Sequence, residues 1–317
     1  MFGDFFSPGI EIDFGDGVAT VQGSAPGGRI VKVSENNLAA IGDRCYITYN
    51  HFHNAGQTSV DLFSDVEVVN SNVDRLMIGI ERRLWDLPWS LEVRMPFAGV
   101  PGESIQASRV GNLTFVLKRM LYENEQAIVS AGCGIVTPTG SDVTTGPPVS
   151  DAFIIRNKSY HILPFLGAQS QTASGRWYYH GFMQLDIAAN GNEINTFSGS
   201  DLVDEAYIND QTLLFLDAAI GRWMYRNPEA RCLRGLAFQT ELHYTTTLQD
   251  GDTYTTTAFP TSTFGATPNR FDVLNFTTAV NLQFWDRTHL RVGGVMPIRD
   301  GDDRFFDAEF MVQLIFR

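Results

Sequence analysis

Ionisable side chains recur at every second position in several apolar segments of the chain. A β-strand turns successive side chains to opposite faces, so residues two apart share a face. On this spacing one face of the predicted strands carries charges of both signs. Basic residues come mainly from the early segments and acids mainly from the late ones. In a closed barrel this face would line the lumen, and it comprises Arg75, Glu81, Arg83, Glu92, Arg94, Lys118, His161, His180, Asp186, Asp217, Glu241, His243, Arg291, Asp307 and Glu309.

A charged lumen face of this kind can select among solutes. Opposed rows of charge across a lumen create a transverse field that orients a polar solute, while loops control access. The alternative is that these side chains pair with one another and fill a narrow interior. Either way, a narrow or gated passage is the expectation.

The histidines are candidates for catalysis and metal binding. His51 and His53 share a strand face and could hold a metal together, although the same spacing arises by chance at a barrel mouth. A hydrolase would need a base such as His243 or His289 facing a Ser or Thr on a neighbouring strand. The chain has no His-Glu-x-x-His, Cys-x-x-Cys or Gly-x-Ser-x-Gly motif. We therefore predict no catalytic residues, no metal and no cofactor, and keep a barrel hydrolase as a third alternative.

The elements that must position these residues are strand-length segments of alternating polarity, which begin at residue 43. In the last segment Phe306, Ala308, Phe310, Val312, Leu314 and Phe316 share one face, opposite Asp307, Glu309 and Gln313. A soluble antiparallel sheet with one wet face gives the same period. The predicted strands are 43–53, 73–85, 88–98, 110–122, 125–137, 153–169, 176–188, 211–225, 231–247, 270–285, 287–298 and 304–316.

The connections between these segments favour a barrel over a sandwich. Short links at 85–88, 122–125, 170–175, 226–230 and 286–287 alternate with long polar links at 54–72, 99–109, 138–152, 189–210 and 248–269, and with a shorter one at 299–303. Outer-membrane barrels alternate short periplasmic turns with longer external loops. An even strand number places both ends of the barrel on the short-turn side.

Aromatic residues cluster near the short links. Amphipathic rings prefer the lipid–water boundary, so we predict that these form a periplasmic girdle: Trp85, Trp89, Trp177, Tyr179, Trp223, Tyr225 and Trp285. No apolar run approaches the roughly 18 residues of a membrane-spanning helix. The predicted fold is all-β: a single closed up-and-down antiparallel transmembrane β-barrel of about 12 strands. Such a barrel encloses more space than one of eight strands, but less than porins of 16–18.

Composition limits the partners and the domain organisation. The net charge of −13 and the absence of a basic patch argue against nucleic acid. The three cysteines are far apart, so we predict packing residues rather than disulfides or a metal cluster. Residues 1–42 are predicted to be an N-terminal periplasmic extension, with insertion into the lumen as the alternative, and residues 43–317 the barrel. The start Met1-Phe-Gly-Asp lacks a signal peptide, which export would require, so we expect a mature form or a different native start.

Two short stretches resemble a known family. Residues 131–140, Ala-Gly-Cys-Gly-Ile-Val-Thr-Pro-Thr-Gly, resemble the Gly-rich strand and Pro-Thr-Gly motif of barrel proteins of the MetA pathway of phenol degradation. Residues 43–52 are similar to the first strand of related outer-membrane proteins common in planctomycetes. The resemblance covers roughly residues 40–317 as a pattern. It implies transport of hydrophobic or aromatic compounds and supplies no catalytic residues. The last strand departs from the usual barrel signal because Arg317 follows Phe316.

The sequence thus predicts a channel in the outer membrane of a Gram-negative-type bacterium, for passive, selective passage of small polar or aromatic solutes. The alternative is a structural or adhesive surface barrel whose loops 54–72, 189–210 and 248–269 meet partners. The expected partners are outer-membrane lipid, a small-molecule solute and the barrel-assembly machinery. The sequence is compatible with a monomer and with a homo-oligomer.

Overall fold

In the computed structural model the described residues form antiparallel strands and one short 3-10 helix, Gly301–Asp303. No helix in the described part of the chain is long and apolar enough to cross a membrane. Residues 1–8, 14–17 and 22–31 of the predicted extension lie outside the described residues. The structure describes residues 9–13, 18–21, 32–62, 65–99, 109–145, 152–198, 201–255, 263–267 and 269–317.

Twelve antiparallel strands form one closed ring, which confirms the predicted fold. The ring closes where the last strand pairs with the first long one, with Ala308 opposite His53 and Phe316 opposite Cys45. The strands of the described residues, in chain order, are β1 (Gly9–Asp13), β2 (Val18–Val21), β3 (Arg44–Leu62), β4 (Asp65–Arg83), β5 (Trp89–Gly99), β6 (Arg109–Val110), β7 (Thr114–Glu123), β8 (Ala127–Val136), β9 (Val143–Thr145), β10 (Ala152–Arg156), β11 (His161–Gln171), β12 (Trp177–Ala188), β13 (Asn192–Ser198), β14 (Asp201–Ile208), β15 (Thr212–Arg226), β16 (Leu233–Gln249), β17 (Tyr254–Thr255), β18 (Thr263–Thr267), β19 (Asp272–Phe284), β20 (Thr288–Pro297) and β21 (Ala308–Phe316). The ring order is β3-β4-β5-β7-β8-β11-β12-β15-β16-β19-β20-β21.

Burial alternates along the ring strands as the polarity pattern predicts. In β19, Asn275 and Thr277 are buried inside the ring, while Leu274 and Phe276 lie on the other face. Large apolar side chains on the outer face stay open: Ile80 is 52% exposed and Phe310 49%. An apolar exterior around a polar interior is the arrangement of a barrel that sits in lipid.

The long links are more ordered than the sequence predicts. A strand crosses a bilayer with about 9–11 residues, whereas β3 and β4 have 19 each and pair as far as Leu62 opposite Asp65. The predicted loop 54–72 is therefore wrong, because this stretch is the outer part of a hairpin that extends past the ring. Similarly, the predicted loops 138–152, 189–210 and 248–269 contain strands.

Four of the additional strands form a separate antiparallel sheet at the long-link end, in the order β14-β13-β10-β9. The predicted strand 153–169 consequently splits into β10, in this outer sheet, and β11, in the ring. The break has a clear cause: the Asn192 side-chain oxygen accepts hydrogen bonds from the backbone N–H groups of Lys158 and Ser159, both at 3.1 Å. These bonds hold the connecting residues out of the sheet ladder.

Backbone pairing places the first two strands, β1 and β2, at the long-link end of the ring, where the outer sheet also lies. β1 pairs with β18 and with β2, and β2 meets β3 where Ala19 lies opposite Val60. The assignment of residues 1–42 to an N-terminal periplasmic extension, with lumen insertion as the alternative, stays a prediction.

Two aromatic residues predicted to face outward face the interior instead. Trp223 is half-buried with its ring centroid 6.0 Å from that of Tyr178, and the register shifts just beyond it, between Trp223 and Tyr225. Phe306 is buried against Phe52, at 5.5 Å between ring centroids. It precedes β21, so the strand alternation does not reach it.

Candidate lumen site

Residues 32–41, here called the lumen segment, lie inside the ring immediately before β3. Its side chains from Lys32 to Asn37 are at most 2% exposed. The segment is compact: the Glu35 N–H donates to the Lys32 carbonyl at 3.2 Å, and the Asn37 N–H donates to the Ser34 carbonyl at 3.0 Å. Asn36 has φ of 59°, a left-handed conformation that asparagine tolerates better than most residues. The lumen therefore holds two consecutive turns of the protein's own chain.

One side of the lumen receives the cationic end of the segment. The Lys32 Nζ lies 2.6 Å from Asp217 Oδ1 on β15 and 3.0 Å from His243 Nδ1 on β16. Ser34 Oγ donates to the other Asp217 oxygen. Glu241 on β16 lies beside His243, with Glu241 Oε2 3.4 Å from His243 Nε2. We call this side, with Asp217 and Glu241, the acidic wall.

The opposite side receives the anionic end and the carbonyl groups. Glu35 pairs with Arg75 on β4. Arg94 on β5 donates to the Lys32 carbonyl at 3.1 Å and to the Val33 carbonyl at 2.9 Å. Because β4 and β5 are six strands away from β15 and β16 in a ring of twelve, the segment bridges the lumen.

Further donors on the same side bind the following residues of the segment. Lys118 Nζ on β7 donates to the Asn37 side-chain oxygen at 2.9 Å and to the carbonyls of Leu38 and Ala40 at 2.8 and 3.0 Å. Arg44 donates to the Asn36 carbonyl. We call this side, formed by Arg44, Arg75, Arg94 and Lys118, the basic wall.

Two carboxylates within the basic wall partly neutralise it. Glu81 lies 2.6 Å from Arg44 and 2.9 Å from Lys118, measured from nitrogen to oxygen. Glu92 lies 3.0 Å from Arg94 and accepts from Tyr46 at 2.6 Å. Four cations against these two carboxylates leave an excess of two positive charges, opposite the acidic wall. The two walls thus carry opposite charge across the lumen.

The remaining residues of the predicted lumen face lie apart from the two walls and the lumen segment. Glu309 is buried and accepts from Asn50 at 2.6 Å, and Arg291 is half-buried. Arg83 and Asp307 occupy positions with the inward parity but are exposed, Arg83 at the short-turn end of β4 and Asp307 just before β21. His161 is buried near the long-link end, where its Nδ1 lies 2.6 Å from Asp186.

The sequence misses the apolar part of the interior. Val33 of the lumen segment packs among Val116, Val136, Leu163, Phe165, Phe182 and Ala219. A second apolar cluster, with Phe52, Phe215, Phe271, Phe305 and Phe306, occupies the long-link half of the ring. The sequence of β15 contains Leu-Leu-Phe-Leu, which is apolar on both faces of the strand. Such a run indicates apolar residues inside the ring only ambiguously, because it does not show which face is the inner one.

In the described residues, the contacts of His243, His51 and His53 do not match those of a serine hydrolase or a metal site. Asp217 stands between Ser34 and His243, whereas in a serine hydrolase the imidazole stands between serine and carboxylate. His51 and His53 each bond a different side chain of β4, Asp74 at 2.7 Å and Asn72 at 3.0 Å. Among the described residues no group of three or more His, Cys, Asp or Glu could hold a metal ion.

The outer sheet has its own ionic cluster, outside the ring. Glu193 on β13 accepts from Lys158 and lies 3.4 Å from Arg156. The hydrogen bond from Lys158 lowers the pKa of the Glu193 carboxyl, and the same bond raises the pKa of the lysine. The cluster anchors β13 to the connection between β10 and β11.

Comparison with known proteins supports the fold. The structure is similar to that of an outer membrane channel from Pseudomonas putida F1, with 13% identity, 90% of this chain and 99% of that chain covered, and a TM-score of 0.57. It is also similar to the translocator domain of the autotransporter NalP from Neisseria meningitidis, with 7% identity, 89% and 91% covered, and a TM-score of 0.52. At these identities the likeness shows the barrel fold alone.

Sequence comparison adds no family. No family model matches the chain, and no curated protein matches it. Membership of the MetA-pathway family stays a prediction.

Proposed function

We propose that the protein is an outer-membrane channel for passive, selective passage of small polar or aromatic solutes. The observation that carries the proposal is the closed twelve-stranded ring with an apolar exterior and two oppositely charged interior walls. A polar solute crossing between these walls would be oriented by their field. The similar structure named an outer membrane channel supports the same function.

The lumen segment makes this a gated channel. It bridges the two walls through Lys32 and Glu35 and fills the space between them with backbone. Solutes pass when the segment leaves this position. The apolar cluster in the long-link half, which includes Phe52 and Phe271, then offers a path for aromatic groups.

Efflux of small solutes from liposomes tests the proposal. The full chain is compared with the double variant Lys32→Met/Glu35→Gln, here called the opened variant, which removes both ion pairs of the segment without altering the ring. We expect faster efflux through the opened variant than through the native chain. Arg82→Ala is the control, because Arg82 is largely exposed and its 3.8 Å pair with Asp43 lies outside the lumen. Efflux at the rate of protein-free liposomes from both folded proteins would refute the channel.

A second candidate function is a surface barrel that binds a partner. The separate four-stranded sheet at the long-link end favours it, because its strand β14 exposes apolar side chains: Leu202 is 51% exposed, Val203 45% and Tyr207 59%. If this candidate is correct, cells that display the native protein adhere to a surface that carries the partner. The double variant Leu202→Asp/Val203→Asp should abolish this adhesion. Equal adhesion by both proteins would remove this candidate.

A further inference from the structure

We infer that the lumen is a peptide-binding site, that the lumen segment occupies it as a tethered ligand, and that the transported solutes include short peptides with one cationic and one anionic side chain. This inference rests on the proposed channel function and names a solute class for it.

The basic wall binds peptide backbone rather than only side chains. Arg94 donates to two successive carbonyls of the segment, those of Lys32 and Val33. Lys118 donates to the carbonyls of Leu38 and Ala40. Every peptide presents carbonyl acceptors at this spacing, so these contacts suit peptides of many sequences.

An acceptor on the other side of the segment completes the backbone recognition. The Gln184 side-chain oxygen, on β12, lies 2.5 Å from the backbone nitrogen of Val33 and accepts its N–H. The peptide group between Lys32 and Val33 is thereby bound at both ends, its N–H by Gln184 and its carbonyl by Arg94. Recognition of both groups distinguishes a peptide from a simple anion or a sugar.

Charge and shape restrict which peptides fit. The site places a cation against Asp217 and an anion against Arg75, and the segment supplies them three residues apart, at Lys32 and Glu35. The turn that closes from Glu35 to Lys32 sets this spacing. Between the two charges, Val33 fills an apolar pocket that suits a small aliphatic side chain.

The wall groups that bind the segment each keep a polar partner within the ring when the segment leaves, so the occupant can be exchanged. An isolated buried charge would be strongly destabilising. The charged wall groups, however, also pair with one another or with a neighbouring amide: Arg44 with Glu81, Lys118 with Glu81, Arg94 with Glu92, His243 with Asp217, and Arg75 with the Asn50 side-chain oxygen at 3.4 Å. Each of these groups therefore keeps one partner within the ring, and the excess charge of each wall attracts an occupant of opposite charge.

Block of ionic current by a free peptide tests the inference. The opened variant is reconstituted in planar bilayers and titrated with the blocked hexapeptide acetyl-Lys-Val-Ser-Glu-Asn-Asn-amide. The control peptide exchanges its Lys and Glu and has the same composition. We expect the native-order peptide to block at concentrations about tenfold lower or more, the effect of losing one charge-assisted pair. Adding Arg94→Gln should raise the half-blocking concentration by a similar factor.

The outcomes separate the two proposals. Current that both peptides block equally, or that neither blocks, would overturn the peptide site and leave the channel standing. A folded opened variant without current would instead refute the channel. In that case the peptide site is tested by binding of the fluorescent hexapeptide to the opened variant in detergent. Saturable binding that prefers the native order would support the site, and absence of binding would overturn it.

Discussion

Replacing Lys32 by methionine should release the lumen segment. The Lys32 ammonium and the Asp217 carboxylate are 2.6 Å apart, and both side chains are 1% exposed. Removing one partner of such a buried pair leaves the other charge uncompensated, at a cost of about 3–5 kcal/mol. Asp217 keeps His243 at 2.8 Å, so we expect the lower part of this range. That corresponds to a rise of roughly 100-fold in the ratio of released to bound segment.

Thiol labelling measures this ratio. Ala39 of the segment is fully buried, so a cysteine introduced by Ala39→Cys reacts with a water-soluble thiol reagent only when the segment is released. The three native cysteines are replaced by alanine, because Cys45 and Cys232 are exposed. Labelling rates are then compared with and without Lys32→Met. We expect the rate to rise about 100-fold, in line with the released population.

An exposed ion pair provides the control. Arg82 and Asp43 are 3.8 Å apart with side chains 73% and 57% exposed, and such pairs contribute about 0–1 kcal/mol. Arg82→Ala should therefore leave the labelling rate of the introduced thiol within about fivefold of its starting value. An unchanged rate in Lys32→Met would show that the buried ion pair does not hold the segment.

Three further predictions follow from single positions. Gly79→Ala should destabilise the barrel by about 1–3 kcal/mol in urea unfolding, because a Cβ there would overlap the Tyr46 ring; Gly42→Ala, with nothing within 4 Å of the added atom, should leave stability unchanged. The lowered pKa of Glu193 means that its stabilisation of the outer sheet is present at neutral pH and is lost as the pH falls through that lowered value. The protection of amides in that sheet, expressed relative to their intrinsic exchange rates, should fall in acid for the native chain, and Glu193→Gln should remove this fall. In the opened variant, Arg75→Gln should shift the reversal potential towards cation selectivity, and an identical potential would contradict the polarity of the basic wall.

The ring could be predicted from the sequence because its strands differ on their two faces. In β19 and β21 an apolar side chain alternates with a polar one, so inside and outside are settled by local pattern. The same logic fails in β15, where Leu213 and Phe215 face inward and Leu214 and Leu216 outward. A strand that is apolar on both faces cannot reveal that part of the lumen is apolar.

The lumen segment could not be located from the sequence for a different reason. Residues 32–41 have no strand or helix period, and polar residues such as Ser34 and Asn37 suit an exposed loop equally well. Their partners are distant along the chain: Lys32 and His243 are 211 positions apart. Only closure of the ring brings the walls together and creates a site that compensates each charge of the segment. The outer sheet escapes prediction similarly, because it assembles from links on both sides of β11 and β12.

The most direct test of the account is a reversible cross-link across the lumen. Ser34 donates a hydrogen bond to Asp217, so Ser34→Cys/Asp217→Cys in a chain without its native cysteines places two thiols together. A disulfide should form on oxidation and hold the segment across the lumen. We predict little or no single-channel current from the oxidised protein. Reduction in the same membrane should increase the current greatly, because Asp217→Cys has also removed the ion pair that holds Lys32 against the acidic wall. Current that is equal before and after reduction of a formed cross-link would contradict a channel gated by residues 32–41.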